Sequence, residues 1–458
     1  MNRKKILKYL SILYFLILFS LLLSMFLELC RAQSLTSPTI KTMKQFNNSR
    51  HSLRSTRSAI TPHISGAGTS TNPYVLYDAA DFDSIRFIGL NNKYYVLGND
   101  IDFSSIQEFV PIPNDNTSGT FSLDGNGYII SNIKQTQGVY TSTTTAYTLG
   151  IFVGKTAGSF TVKNIVLDGI KIVKTSVTNT SAIVFSASIL ASYFSNTEIQ
   201  LSNITVKNST IYFTNSSATF PSLSYVGLIV ARANATSVAG KQSFLRYCLV
   251  EYDTIHYYST STGHYVGGIA GILPDGGVTI PFEYNAARYN YFYSRTTVPT
   301  RKNVGGGLIG VIAAPSSNFN YNYSHSNVAD FGNGGSPNNH PWGWGGIFGY
   351  TGVNNIHTFH QNYAANNQCF GVNQSGGFYS EDNSSSTAQF IDSTYNFCDI
   401  TSFTEPNTVY GSVRLTASQY PAPKTSAQLK DINTFIGWDF TNTWAIDSTK
   451  NNGYPYLK

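Results

Sequence analysis

One spacing governs what this chain can become. Glycine-led apolar units recur at Gly150-Ile-Phe, Gly227-Leu-Ile, Gly268-Ile-Ala-Gly271, Gly307-Leu-Ile-Gly310, Gly346-Ile-Phe-Gly349 and Gly377-Phe-Tyr. Ser188-Ile-Leu is a degenerate copy between the first two. Successive anchors lie 38, 39, 41, 39, 39 and 31 residues apart. A second anchor follows each first one, at Asn164, Asn203, Tyr247, Asn285, Asn322, Asn362 and Asn396. A unit of this size cannot bury a core alone, so neighbouring copies must bury it together. The flanking runs, such as Val162–Leu167 and Phe244–Val250, are β-type and are separated by Gly, Ser, Asn and Thr turns. Helical periodicity is absent between 140 and 400.

The pattern predicts an all-β, single-domain parallel solenoid of about seven or more coils. Ile, Leu, Phe and Ala point inward, and strands of successive coils pair in parallel. Glycine at the first anchor suits close approach between coils. Asparagine at the second anchor predicts one internal amide ladder. Tyr and Phe at matching rows stack along the axis. Solenoid ends expose strand edges and core, so both need lids. At the front, Asp78–Ile88 reads as a short amphipathic helix with Phe82, Ile85 and Ile88 on one side. At the rear, Trp438, Phe440, Trp444 and Tyr456 supply aromatic bulk. The resulting division is 1–32 targeting segment, 33–65 basic Ser/Thr-rich stretch, 66–140 front lid and first coil, 141–400 repeats, and 401–458 last coil and rear lid.

The net charge of +6 is concentrated at the front. Residues 1–32 carry +4, residues 33–65 carry +5, and 66–458 carry −3. Phosphate-backbone binding needs a basic face, so nucleic acid is not expected as a partner. Arg3, Lys4, Lys5 and Lys8 precede an uncharged apolar run from Tyr9 to Leu27 and a small-residue exit at Ala32. That is a secretory signal cut after Ala32, or an uncleaved anchor, which would then be the chain's membrane attachment. Either places the remainder outside the cytoplasm, secreted or at the cell surface. The 33–65 stretch reads as a linker, as a propeptide ending near Arg57, or as an assembly strand at Ser58–Ser65 that joins a neighbouring copy head to tail.

Asn-x-Ser/Thr triplets suited to glycosylation stand at Asn116, Asn179, Asn208, Asn215, Asn234, Asn373 and Asn383. The triplets at Asn203 and Asn322 fall on the expected ladder and are discounted for that reason. Of the cysteines beyond the targeting segment, Cys369 and Cys398 are the expected disulfide and Cys248 a buried hydrophobe. No catalytic constellation is assigned, and neither a cofactor nor a metal is expected. Asp100, Asp102 and Asp124 fit lid and turn roles. His357 and His360 lack the glutamate and helix of a zinc protease motif. Tyrosine-rich runs at Tyr257-Tyr258, Tyr289–Tyr293 and Asn320–Tyr323 suit internal stacking or sugar contact, and Trp342 and Trp344 read as an exposed contact loop.

The glycine units at Gly268, Gly307 and Gly346 resemble the GLUG repeat of bacterial adhesins, immunoglobulin A metalloproteases and protist surface proteins. The segments Gly68–Leu76, Tyr94–Phe103 and Phe121–Ile133 are similar to the leader of such domains, and Lys424–Lys430 with Gly453–Leu457 to their terminal segment. The resemblance implies a right-handed parallel β-helix of the pectate-lyase-like superfamily. The expected function is a non-enzymatic, glycosylated extracellular structural or adhesive protein. Its partners are other copies of itself, surface glycoproteins or glycans. The alternative is a carbohydrate-binding or carbohydrate-active protein on the same fold.

Overall fold

The computed structural model describes residues 63–113, 115–140, 146–175, 184–215, 223–235, 242–259, 263–273, 280–296, 303–313, 316–331, 342–351, 356–370, 374–382, 389–391, 395–399 and 422–458. Of the two units into which the chain divides, these residues all belong to Thr61–Lys458. The chain winds as a β-solenoid. Gly158–Asp168 pairs in parallel with Ala191–Lys207, which pairs with Phe244–Glu251, which pairs with Phe282–Glu283 and Ala286–Arg288. Two further parallel columns flank this sheet, one running from Lys134–Gln135 to Gln368–Phe370 and one from Ala146–Leu149 to Gln374–Gly376. Parallel pairing begins ahead of the glycine repeat, at Tyr74–Leu76 on Lys93–Leu97, and reaches Ala422–Lys424.

Inward positions carry matching apolar residues: Phe160 faces Ile199, Val162 faces Leu201 and Leu167 faces Val206. All six are fully buried. The glycine column is Gly227, Gly267, Gly306, Gly345 and Gly376, each opposite the next. Gly227 therefore belongs with Gly267 and not with Gly268, a one-residue correction to the sequence alignment. Close approach explains the neighbouring glycines. A Cβ on Gly307 would sit 2.1 Å from the Gly346 carbonyl oxygen.

The front helix Ala79–Ile88 forms as the sequence predicts. Asp78 caps it by accepting from the amides of Ala80 and Asp81 at 2.8 and 2.9 Å. Phe82 and Ile85 are fully buried and Ile88 half-buried, with the Phe82 ring against Phe103, Phe109 and Phe152. At the rear, Trp438, Trp444, Phe435 and Leu429 pack with Tyr363 and Phe397 of the last described coils. Ser65, the end of the expected assembly strand, bridges antiparallel to Val75 of the same chain.

The single asparagine ladder resolves into two columns. Ile165 faces Ile204 and Ile204 faces Cys248, which places Asn164 and Asn203 in register with Tyr247. Asn285, Asn322, Asn362 and Asn396 continue the Ile165–Ile204–Cys248 column instead, one residue away. These four are buried, whereas Asn203 is exposed. The discounting of Asn203 as a glycan site is thereby corrected, and that of Asn322 stands. The Asn285 amide donates to Asn322 Oδ1, Asn322 to Asn362 Oδ1, and Asn362 to Asn396 Oδ1, at 2.9, 2.9 and 3.0 Å. A second buried ladder, absent from the sequence reading, lies five residues on. The Asp253 amide donates to Asn290 Oδ1, Asn290 to Asn327 Oδ1, and Asn327 to Asn367 Oδ1, at 2.9, 3.0 and 3.0 Å.

Candidate functional site

Among the described residues, the coils bend outward at two recurring places, and both bends use left-handed backbone. The first column holds Asn164, Asn203, Tyr247, Tyr284, Tyr321, Gln361 and Tyr395, with φ from 53° to 66°. The second holds Asn132, Gly169, Asn208, Tyr252, Tyr289, Ser326 and Asn366, with φ from 51° to 67°. Left-handed backbone is ordinary for Asn and Gly but costs a bulky residue roughly 1–2 kcal/mol. Six tyrosines occupy it here.

The bend breaks the strand ladder, and the buried asparagines repair it. Tyr284 lies between Phe282 and Asn285. Asn322 of the next coil accepts from the Asn285 amide and donates through Nδ2 to the Phe282 carbonyl, both at 2.9 Å. Asn362 repeats this around Tyr321, between Phe319 and Asn322, at 2.8 and 2.9 Å. The inner amides thus hold the outward tyrosines in place.

The outward rings stack in register. Tyr247–Tyr284 and Tyr284–Tyr321 have centroids 4.7 and 4.6 Å apart at interplanar angles of 6° and 7°. Tyr252–Tyr289 repeats the geometry at 5.0 Å and 8°. On the next face, His256 stacks between Tyr212 and Tyr293 at 4.5 and 4.2 Å. Tyr247 and Tyr252 are 53% and 57% exposed, and among the described residues no ring covers their second faces. Partial burial and the neighbouring tyrosines push the Tyr284 hydroxyl up to about 12, and burial raises Tyr289. The Tyr284 and Tyr289 hydroxyls are therefore neutral at physiological pH.

The tyrosine-rich runs of the sequence are split by strand alternation. Tyr257 and Tyr323 are core, Tyr258 and Tyr293 are half-buried, and Tyr291 is exposed beside Tyr289. Trp344 is also core, fully buried with its ring 5.0 Å from Phe292, which corrects its reading as an exposed contact. Trp342 begins the same strand, and its side chain lies outside the described residues.

Cys369 and Cys398 occupy strands of different sheets, and both are buried as thiols, as is Cys248. The expected disulfide is thereby corrected: adjacency in sequence does not put the two strands in one column. Burial pushes Cys248 and Cys398 up to about 12. Among the glycosylation triplets, Asn116 and Asn208 are exposed and Asn234 half-buried. Asn215 is 1% exposed, which is incompatible with a glycan on the folded chain and corrects that assignment. Asn179, Asn373, Asn383 and the cleavage position Ala32 lie outside the described residues.

The acidic candidates behave as structural groups. Asp102 accepts from Ser104 and Asn132, with Ser104 foremost in holding its carboxyl down at about 2. Asp124 accepts from the Asn126 amide and pairs with Lys163 at 3.1 Å. His357 is fully buried on a strand, and burial depresses it to about 4. No group of three metal-ligating side chains occurs among the described residues.

No family model matches the sequence, and no curated protein matches it. Among solved structures, the chain is similar to a crystal structure described as "a putative immunoglobulin A1 protease from Bacteroides ovatus". Identity is 17% over 86% of this chain and 94% of that one, with a TM-score of 0.42.

Proposed function

We propose that this chain is an extracellular structural or adhesive protein whose tyrosine ladders form its contact surface. The observation that carries the reading is the strain. Asn and Gly serve the same bends in other coils at lower cost, as at Asn203, Asn208 and Gly169. Tyrosine is retained where the ring points outward. Stacking recovers about 0.5–1.5 kcal/mol per ring pair, yet the end rings Tyr247 and Tyr252, about half exposed, each stack on one ring alone, with Asn203 and Asn208 in register on the other side. Such faces suit the apolar face of a sugar or an aromatic partner. The GLUG-like glycine units, the targeting segment and the exposed triplets at Asn116, Asn203 and Asn208 support a glycosylated, exported protein.

The test replaces Tyr247 and Tyr252 together by Asn, the residue their own columns use one coil earlier. The backbone is preserved while the rings go. Purified protein is scored for adhesion to immobilised glycans and to cell surfaces. The double variant should fold and lose adhesion. Undiminished adhesion refutes the assignment of the ladders. Glycosidase treatment and N-terminal sequencing of the native protein check export.

A further inference from the structure

The open end of each tyrosine ladder meets an asparagine. Ser202 faces Arg246 and Ile204 faces Cys248, so Asn203 stands opposite Tyr247 on the adjacent strand. Lys207 faces Glu251, which sets Asn208 opposite Tyr252 one residue on. The backbone is matched as well. φ is 53° at Asn203 and 55° at Tyr247, and 53° at Asn208 and 57° at Tyr252. Side chains that leave matched backbone on strands about 4.8 Å apart run outward together. Both asparagines are exposed.

The same two positions carry a chemical signature. The bend columns contain Asn132, Asn164, Asn203, Asn208 and Asn366. Of these, Asn203-Ile-Thr205 and Asn208-Ser-Thr210 alone form the Asn-x-Thr triplet that accepts an N-linked glycan. The asparagines in register with an outward tyrosine ring are therefore the ones that can be modified. Asn203 Nδ2 donates to Asn164 Oδ1 at 3.0 Å, and Asn208 Nδ2 to Asp168 Oδ1 at 2.9 Å, both in the preceding coil. An amide nitrogen has two hydrogens, so each site keeps this tether and has a second hydrogen to exchange for a sugar.

We propose that Asn203 and Asn208 carry N-linked glycans whose first sugars lie on the open faces of Tyr247 and Tyr252 and close the two ladders. This rests on the exported, glycosylated reading and deepens it, because the sugar that the end rings suit is the chain's own. The donor is a lipid-pyrophosphate-linked oligosaccharide. The amide nitrogen bonds to the sugar's anomeric carbon, the bond from that carbon to the pyrophosphate oxygen breaks, and the amide proton is released with the lipid pyrophosphate. A pyranose then sets its C–H groups on the negative face of the aromatic ring.

The test first maps the native protein by glycosidase release in heavy-oxygen water, which marks each occupied asparagine. Asn203 and Asn208 should both be occupied. Full-length variants secreted by a glycosylating eukaryotic host then probe the contact. Thr205→Ala with Thr210→Ala removes both glycans and leaves the asparagines. Tyr247→Gly with Tyr252→Gly removes the rings and keeps the left-handed backbone. Loss of the glycans should lower the Tm by on the order of 1–2 °C per site when the rings are present and leave it unchanged when they are absent. The same cycle in unglycosylated chain should show no such coupling. Nitration of Tyr247 and Tyr252 should be severalfold slower in the glycosylated protein. Ser118→Ala, which removes a glycan from Asn116 beside Thr156, should couple to neither ring. Native protein bare at Asn116, Asn203 and Asn208 alike would refute the glycosylated reading and this proposal with it. A glycan at Asn116 with both ladder triplets bare, or occupied ladder triplets without coupling or protection from nitration, would overturn this proposal and leave that reading standing.

Discussion

Replacing Asn322 by Ala removes one rung of the inner ladder and leaves two backbone groups of the neighbouring coil without partners. The Asn285 amide loses its acceptor and the Phe282 carbonyl loses its donor, both at 2.9 Å in the native chain. Each orphaned buried group costs about 1–3 kcal/mol, so the pair costs about 2–6 kcal/mol. The natural control is Asn203→Gly. Asn203 is exposed, has φ 53°, and makes one amide contact to Asn164 at 3.0 Å. Glycine keeps the left-handed backbone, so its expected cost is about 1 kcal/mol or less. Urea denaturation gives both values, and hydrogen exchange at the Asn285 amide gives a local reading. That amide should exchange faster in Asn322→Ala than global destabilisation alone accounts for. If the two variants lose equal stability, or the Asn285 amide stays protected, the division into an inner and an outer column is wrong.

Asp253 heads the second ladder with Oδ2 buried and unbonded, and burial holds its carboxyl well above the usual carboxylate range. The folded state then keeps a proton the unfolded chain releases, so stability declines as pH rises from about 4 towards the raised value. Asp253→Asn should abolish that decline and stabilise the protein at pH 7, as read from denaturation midpoints across pH. Burial depresses His264 and His325 to about 3 and His357 to about 4. The unfolded state binds these protons first, so stability should fall as pH drops below about 6.5, by up to roughly 1.4 kcal/mol per pH unit for each histidine. Native protein should resist a maleimide at Cys248, Cys369 and Cys398 and take up label at all three in denaturant without reductant; a mobility change on reduction would restore the bridge. Gly307→Ala drives a methyl into the Gly346 carbonyl and the Ser324 hydroxyl, at a cost of about 1–3 kcal/mol in denaturation.

The period of the repeat, together with β-type runs and turn residues in place of helical periodicity, was sufficient to read a stacked β-solenoid, because units of that length must bury their apolar faces on one another. The helix at 79–88 was legible for the same kind of reason, an apolar stripe behind an acidic cap. What spacing does not reveal is a one-residue offset. Asn203 and Asn322 look equivalent in the sequence, yet the loops absorb the difference, and hydrogen-bond register sends one outward and the other inward. The same blindness put Trp344 on the surface, where its Gly/Asn surroundings suggest a loop but strand alternation turns it to the core. The second ladder had a readable signal, since Asn290, Asn327 and Asn367 each follow a first-ladder asparagine by five residues.

The inner column changes chemistry part-way along. Ile165, Ile204 and Cys248 occupy it first, and Asn285, Asn322, Asn362 and Asn396 afterwards. Along that seam the early turns are joined by oil and the later ones by amide pairs. Oily contacts weaken as water cools, whereas hydrogen-bonded contacts do not share that dependence. Chilling should therefore loosen the seam from its front, so that the protein has a cold-sensitive end and a cold-hardy one.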